Sequence, residues 1–378
     1  MEVQSAYLKK RGKRFQGVLS WKDGEKWRQT TRMLQSTTKT AARRELTKWQ
    51  EEEEKKESAA HGNSSTVLYV RSFIGGLEKS HRIEPSTVKD YRKTLRVIER
   101  SLGDAQLSTL TSKDVQHWEE DLVHSGLSPV SVGKAHRLLK EALSHAVDVG
   151  DLRVNPVAAV RPPKRPASRP NALDDQSRKR LVATINGIGD SRLTIAIRLA
   201  LYCGLRISEV CGLKWDDIED DFSRLWVRRS IGRGVDGLYI KEPKTGKIRD
   251  VPISQALADH LKKYKSVQTK KSASKGAELS NAFFVVGTLY GRYCSPDMLS
   301  HEWRTISRTL NLIGTEGRIC TFHDLRHTFA TAAIAAGVDV KTVSSILGHA
   351  NAAMTLNVYA SADPDAKRRA ADIIERAI

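Results

Sequence analysis

Acidic residues are outnumbered in this sequence. Its 378 residues carry 63 Lys and Arg against 44 Asp and Glu, a formal charge of +19 and a pI near 9.8. The cations are spread along the whole chain rather than gathered in one run. Such an excess repels itself and favours a polyanionic partner, nucleic acid before others; a merely basic enzyme is the plain alternative. Cysteine is sparse. Cys203, Cys211, Cys294 and Cys320 form no CxxC pair and sit among apolar neighbours, which excludes a disulfide framework and a clustered zinc module and suits reduced core thiols. Long apolar runs are missing too. The most apolar stretch, LTIAIRLALYCGL, contains Arg198 and is too short to span a bilayer. The first residues mix acid and base with no apolar segment, so no secretory leader is expected. These absences together predict a cytoplasmic protein without a membrane partner.

What is present falls into segments. RFQGVLSWKDGEKWRQTTRML reads as two alternating strands joined at Asp23-Gly24, with Phe15, Gly17, Leu19 and Trp21 on one face. TKTAARRELTKWQEEEEKKE follows as a helix with Ala42, Leu46 and Trp49 in one stripe. Residues 1–48 hold 13 Lys and Arg against 4 Asp and Glu. A sheet this basic, Arg28 and Arg32 included, could lie in a DNA major groove; a charged solubilising module is the alternative.

Residues 64–160 read as all-helical. Val88, Tyr91, Leu95, Ile98 and Leu102 make an apolar stripe, while Lys89, Arg92, Lys93, Arg96 and Arg100 line another stripe of the same helix. Ser128-Pro129 opens a further helix bearing Lys134, His136, Arg137 and Lys140. These cations suit phosphate tracking, with a solvated face as the bland reading. RPPKRPASRPN, residues 161–171, lacks periodicity and reads as an extended linker. Residues 172–378 are mainly helical, interrupted at RLWVRRSIGRGVDGLYIKEPKTGKIRDVPI by what reads as three short strands, with turns at Gly232–Gly237 and Lys244–Lys247.

Four motifs in this last segment carry chemistry. In GLRISEV, Arg206 follows a helix-ending glycine, with Glu209 three residues on; alone this is an ordinary exposed pair. In KEPKTGKIRDVPI, Lys244 falls at a turn, with Lys247 and Arg249 equally available by spacing, and the first glycine of a Walker loop is missing. In TFHDLRHTFAT, His323 and His327 could hold zinc with Asp324 as base, or His323 and Arg326, on one helical face, could grip a phosphate. Arg326 beside a metal would weaken its binding, and no third ligand lies downstream at a familiar spacing. In LGHANAAMTLNVYA, Gly348 caps a helix, His349 follows it, and Tyr359 comes ten residues later, where a satisfied core tyrosine would be ordinary.

Taken together, two arginines, two histidines, a lysine and a tyrosine suit metal-free phosphodiester cleavage. A tyrosine hydroxyl, pKa about 10 in water, must lose its proton as it attacks phosphorus. The negative charge that builds on the phosphoryl oxygens needs cations, and the planar guanidinium donates two parallel bonds to them. A lysine on a turn can protonate the departing oxygen.

In this order and at these separations, GLRISEV, Lys244, HDLR and LGH…YA resemble the tyrosine recombinases, or phage integrase family, across residues 172–360. The resemblance implies that Tyr359 is the nucleophile, forming a 3′-phosphotyrosine. It implies that Arg206, Arg326 and His349 bind the scissile phosphate, that Lys244 is the general acid, and that His323 assists proton transfer with Tyr359. Glu209 and Asp324 match supports that orient the arginines, and His327 has no catalytic counterpart and is expected in the core. The implied architecture is multidomain: an arm-type DNA-binding domain at 1–60 with a three-stranded sheet and helix, an all-α core-type DNA-binding domain at 64–160, and a mainly α catalytic domain at 172–378 with a small antiparallel sheet. The family also implies double-stranded DNA partners at core and arm attachment sites and a homotetramer on DNA. An excisionase and a DNA-bending accessory protein would set direction, and no cofactor, metal or ATP is needed. Residues 363–378 would form a C-terminal helix that docks on a neighbouring subunit or on its own domain. The expected activity is integration and excision of a mobile element. A type IB topoisomerase, a chromosome or plasmid resolvase of the same family and a non-enzymatic DNA-binding regulator are the alternatives.

Overall fold

The computed structural model describes residues 5–349 except 13, 24–25, 63–64, 104, 166–168 and 243–247, together with residue 375. The chain packs into two compact units, residues 1–166 and 167–378; the division falls inside the proline-rich stretch.

In the first unit, strands β1 (Ser5–Arg11), β2 (Arg14–Asp23) and β3 (Lys26–Met33) form an antiparallel sheet in sequence order. Helix α1 (Lys39–Gly62) buries Ala42, Leu46 and Trp49 against Leu19 and Leu34. The stripe read from sequence is therefore the packing face. The register sets Arg32 opposite Gly17 and Arg28 opposite Trp21. Directly opposed residues share a face, so Arg28 and Arg32, though exposed, belong to the side that α1 covers. The other face carries Lys9, Arg11, Arg14 and Gln16, with the Lys9 ammonium 5.6 Å from the centre of the Tyr7 ring.

Four helices follow: α2 (Thr66–Lys79), α3 (Pro85–Leu102), α4 (Ser112–His124) and α5 (Pro129–Asp148). Proline opens α3 and α5, where the missing N–H costs nothing. Thr111 and Asp114 cap α4 reciprocally, and Ser128 caps α5. Their shared core includes Val70, Ile74, Leu95, Ile98, Trp118 and Leu139. Arg92, Lys93, Arg96, Arg100, Lys134, Arg137 and Lys140 are exposed and Lys89 half-buried; Arg92 is paired with Glu78 at 2.5 Å. His136 departs from the cation stripe. It is buried, with Nδ1 2.5 Å from Glu119 Oε1, and burial pushes the Glu119 carboxyl up against the opposing pull of that histidine.

The second unit is built from α6 (Asp175–Ile188), α7 (Arg192–Cys203), α8 (Ile207–Gly212), α9 (Gln255–Ala273), α10 (Pro296–Thr309), α11 (Phe322–Ala335) and α12 (Val340–Leu347). The most apolar run of the sequence is α7, packed by α8, α9, α10 and α11 and buried nearly all round, as an all-apolar helix must be. Its Arg198 is 1% exposed and donates to Asn186 Oδ1 at 2.9 Å. All four cysteines are buried and free. Among the described residues no helix is long and apolar enough to cross a membrane.

The expected three strands are four: β4 (Arg224–Val227) pairs with β7 (Arg249–Pro252), and β5 (Ser230–Arg233) with β6 (Leu238–Lys241), all antiparallel. The extra break falls at Arg228-Arg229. There Arg229 turns to the buried Asp217, Nη1 to Oδ2 at 2.5 Å, and the chain leaves one sheet for the other. The expected linker also ends differently from expectation. Asn171 is 1% exposed and fastened into the second unit, its side chain donating to Arg318 O and accepting from Glu316 N, both at 2.9 Å.

Candidate active site

Four helix ends and one strand converge in the second unit. Helix α7 stops at Gly204, which is left-handed with φ 64°, and a Cβ there would sit 2.6 Å from Leu347 and 2.7 Å from Phe329. Only glycine permits that turn and that approach. Two residues on, Arg206 is the extended N-cap of α8. Its backbone N–H donates to Glu209 Oε2 at 2.9 Å and its Nη1 to Oε1 at 2.8 Å.

Glu209 is more than the exposed pair partner that spacing allowed. Its side chain is 5% exposed, and it accepts a bidentate pair of bonds from Arg249 of β7, Nη1 to Oε1 at 3.1 Å and Nη2 to Oε2 at 2.7 Å. Arg326 Nη1 lies 4.0 Å from Oε2. One carboxylate thus faces three guanidiniums. Burial by itself would raise its pKa, but the bonds and charge of Arg249, then the charge of Arg206, prevail and hold it down at about 2.

Arg326, on the first turns of α11, is 2% exposed. Nη1 donates to Gly204 O and Nη2 to Leu347 O, both at 2.7 Å. It therefore ties together the C-terminal ends of α7 and α12, where carbonyls lack helical partners and the helix dipole is negative. Desolvation first, then the charge of Arg206, pushes its pKa down to about 9, against the pull of Glu209. The resemblance makes Asp324 a support that orients the arginines, and among the described residues its side-chain hydrogen bonds go to Thr321. As the third residue of α11 it accepts from Thr321 N and Oγ1, both at 2.7 Å, so it acts on Arg326 only by fixing the helix mouth.

Helix α12 ends at Gly348, left-handed with φ 63°, and His349 follows, half-buried. Desolvation, then the charges of Arg326, Arg206 and Arg249, pushes its pKa down to about 4. His323 and His327 stack edge to face, ring centres 4.8 Å apart. His323 is exposed, so water moderates the shift, but desolvation and the neighbouring His327 and Arg326 hold it below the ordinary imidazole value. His327 is half-buried rather than a full core residue, and desolvation lowers it as well. Both rings and His349 are therefore neutral at pH 7. Among the described residues, no cluster of three or more His, Cys, Asp or Glu could hold a metal ion.

Arg206, Glu209, Arg326 and His349, expected together, do come together. Lys244, Lys247, Tyr359 and, apart from residue 375, the segment 363–378 lie outside the described residues. Arg249 is the residue that the sequence left unresolved. Its signal was strand alternation: Arg249 and the buried Val251 share one side of β7, so a cation stood on the core-facing register.

Such a pocket, with clustered arginines, neutral histidines and a carboxylate spent on holding arginines, belongs to an enzyme that handles a phosphodiester. Residues 171–365 match the phage integrase family, and the chain belongs to that family. It is a tyrosine recombinase, an enzyme of site-specific recombination that cuts and rejoins DNA. A XerC-like tyrosine recombinase of Caldanaerobacter subterraneus subsp. tengcongensis is 28% identical over 312 residues, 77% of this chain and 78% of that protein. Two solved structures share the fold. The Tn1549 transposon integrase, residues 82–397, in complex with transposon right end DNA has a TM-score of 0.68 at 24% identity, covering 82% of this chain and 99% of that one. A lambda integrase tetramer bound to a Holliday junction has a TM-score of 0.61 at 20% identity, covering 91% of this chain and 95% of that one.

Proposed function

We propose that this recombinase integrates and excises a mobile DNA element through a 3′-phosphotyrosyl intermediate. Tyr359 attacks the scissile phosphate and a 5′ hydroxyl departs. Arg206, Arg326 and His349 hold the phosphoryl oxygens, Lys244 protonates the leaving oxygen, and His323 takes the proton from Tyr359. The observation that carries this reading is the carboxylate of Glu209 facing Arg206, Arg249 and Arg326. Three cations and one anion leave two positive charges, the complement of a phosphorane carrying two negative ones. Preorganised charge of this kind is worth most when it needs no rearrangement during the reaction. Arg326 spends two of its five N–H donors on carbonyls, which leaves the others for a phosphate. Neutral imidazoles fit the remaining parts: His349 can donate to a phosphoryl oxygen, and His323 can accept a proton at neutral pH.

The cations of α3 and α5 would track the core-site backbone, and the sheet of residues 1–60 would read an arm site. Its groove-facing residues would be those turned from α1, Lys9, Arg11 and Gln16, rather than Arg28 and Arg32. The Tn1549 and lambda structures, each with DNA, support a DNA partner, and the lambda tetramer supports a homotetramer on it. A DNA-bending protein and an excisionase would set direction, in the cytoplasm. The test is a plasmid carrying both ends of the DNA that surrounds this gene. The purified chain should join the ends and release a circle. Relaxation of the plasmid without any joined junction would favour a topoisomerase instead.

A further inference from the structure

Arg249 adds to the positive charge of the pocket, but it carries none of the phosphate-binding or proton-transfer roles given above, and it is firmly built in. Its side chain is 11% exposed. Besides the two bonds to Glu209, its Nε donates to Ile346 O in the last turn of α12 at 2.7 Å. The carboxylate it meets is saturated: each Glu209 oxygen accepts once from Arg206 and once from Arg249, the four bonds such a group can take. The bare α-carbon of Gly348 completes the fit, since a Cβ there would stand 2.9 Å from Arg249 Cδ and 3.1 Å from Nε.

We propose that Arg249 is a positioning residue for strand cleavage. Through Glu209 it fixes the guanidinium of Arg206, and through Ile346 it fixes the turn that presents His349. A lysine cannot replace it, because a point charge offers no planar fork to span both carboxylate oxygens. The proposal rests on the recombinase chemistry above, and its test separates the two.

Full-length wild type, Arg249→Met, Arg249→Lys, Glu209→Gln and the Glu209→Gln/Arg249→Met double variant are given nicked duplexes from the DNA flanking this gene. The rate of covalent adduct formation and the affinity for the duplex are measured. Arg249→Met should slow adduct formation about 100-fold, the cost of misplacing a catalytic group by about 1 Å, with affinity changed by less than about threefold. Arg249→Lys should not rescue, and keeps the test open if the methionine variant fails to fold. The double variant should be no slower than the slower single one, because Arg249 works through Glu209. Losses that multiply, or near-wild-type cleavage by Arg249→Met, overturn the proposal.

A second arm needs no DNA. Among the described residues, the charges that act on His349 include Arg326 of α11, Arg206 of α8, Arg249 of β7 and His327 of α11. In histidine-labelled protein followed by NMR, Arg249→Met should raise the His349 titration midpoint, and Arg249→Lys should leave it nearer the wild-type value. A midpoint that Arg249→Met does not move overturns the placement. If the wild type itself forms no adduct, the cleavage reading fails and this arm alone decides on Arg249.

Discussion

Replacing Glu209 with glutamine tests whether one carboxylate organises the pocket. The side chain is 5% exposed, and its pKa falls from 4.5 to about 2 in the folded chain. A depressed carboxyl contributes stability that is present above the unfolded value and is lost as pH falls through the folded one. Two and a half units correspond to about 3 kcal/mol, present above pH 4.5 and lost between pH 4.5 and pH 2. An amide of the same shape would offer one acceptor and turn a donor toward Arg249 or Arg206. Breaking a buried charge cluster costs about 3–5 kcal/mol, so we expect a loss of that size at pH 7.5 in guanidinium unfolding. At pH 3.5 the wild type has already given up roughly 1.5 kcal/mol of the term, and the gap between the proteins should narrow by that amount. A gap under about 1 kcal/mol, or one that ignores pH, would refute the central role of this carboxylate.

Other perturbations bear on neighbouring parts. Gly348→Ala forces a left-handed alanine and drives a methyl into Arg249; a loss of about 1–3 kcal/mol in unfolding free energy is expected, with adduct formation slowed as in Arg249→Met. Arg326→Lys should cost about 2–4 kcal/mol of transition-state stabilisation. It should also lower the melting temperature, because the forked bonds to Gly204 O and Leu347 O are lost; unchanged melting would contradict that tie between helix ends. Deleting residues 1–60 should spare cleavage at a core site and abolish integration, and equal integration by the truncated chain would dismiss the arm-binding role.

Much of this was legible in the sequence because the signals were local. The stripe Val88, Leu95, Ile98 and Leu102 became a buried face, Gly204 and Gly348 became left-handed helix ends, and Ser128-Pro129 opened a helix. Local spacing failed where a distant partner decided the outcome. His136 stood among cations in α5, but Glu119 of α4 draws it inside. The strand break at Arg228-Arg229 depends on Asp217. Spacing did not show that Asp324 caps its own helix through Thr321. Arg249 could not be told from Lys247 by spacing, since what distinguishes it is a carboxylate forty residues away in sequence and a helix end ninety-seven away.

The most direct measurement is covalent trapping on a nicked duplex taken from the DNA beside this gene, without metal or ATP, so that the cut strand diffuses away. The account predicts a protein–DNA adduct that survives boiling in detergent, joins Tyr359 to a 3′ phosphate and vanishes in Tyr359→Phe. An adduct that persists in Tyr359→Phe, or cleavage that leaves no protein on the DNA, would contradict it.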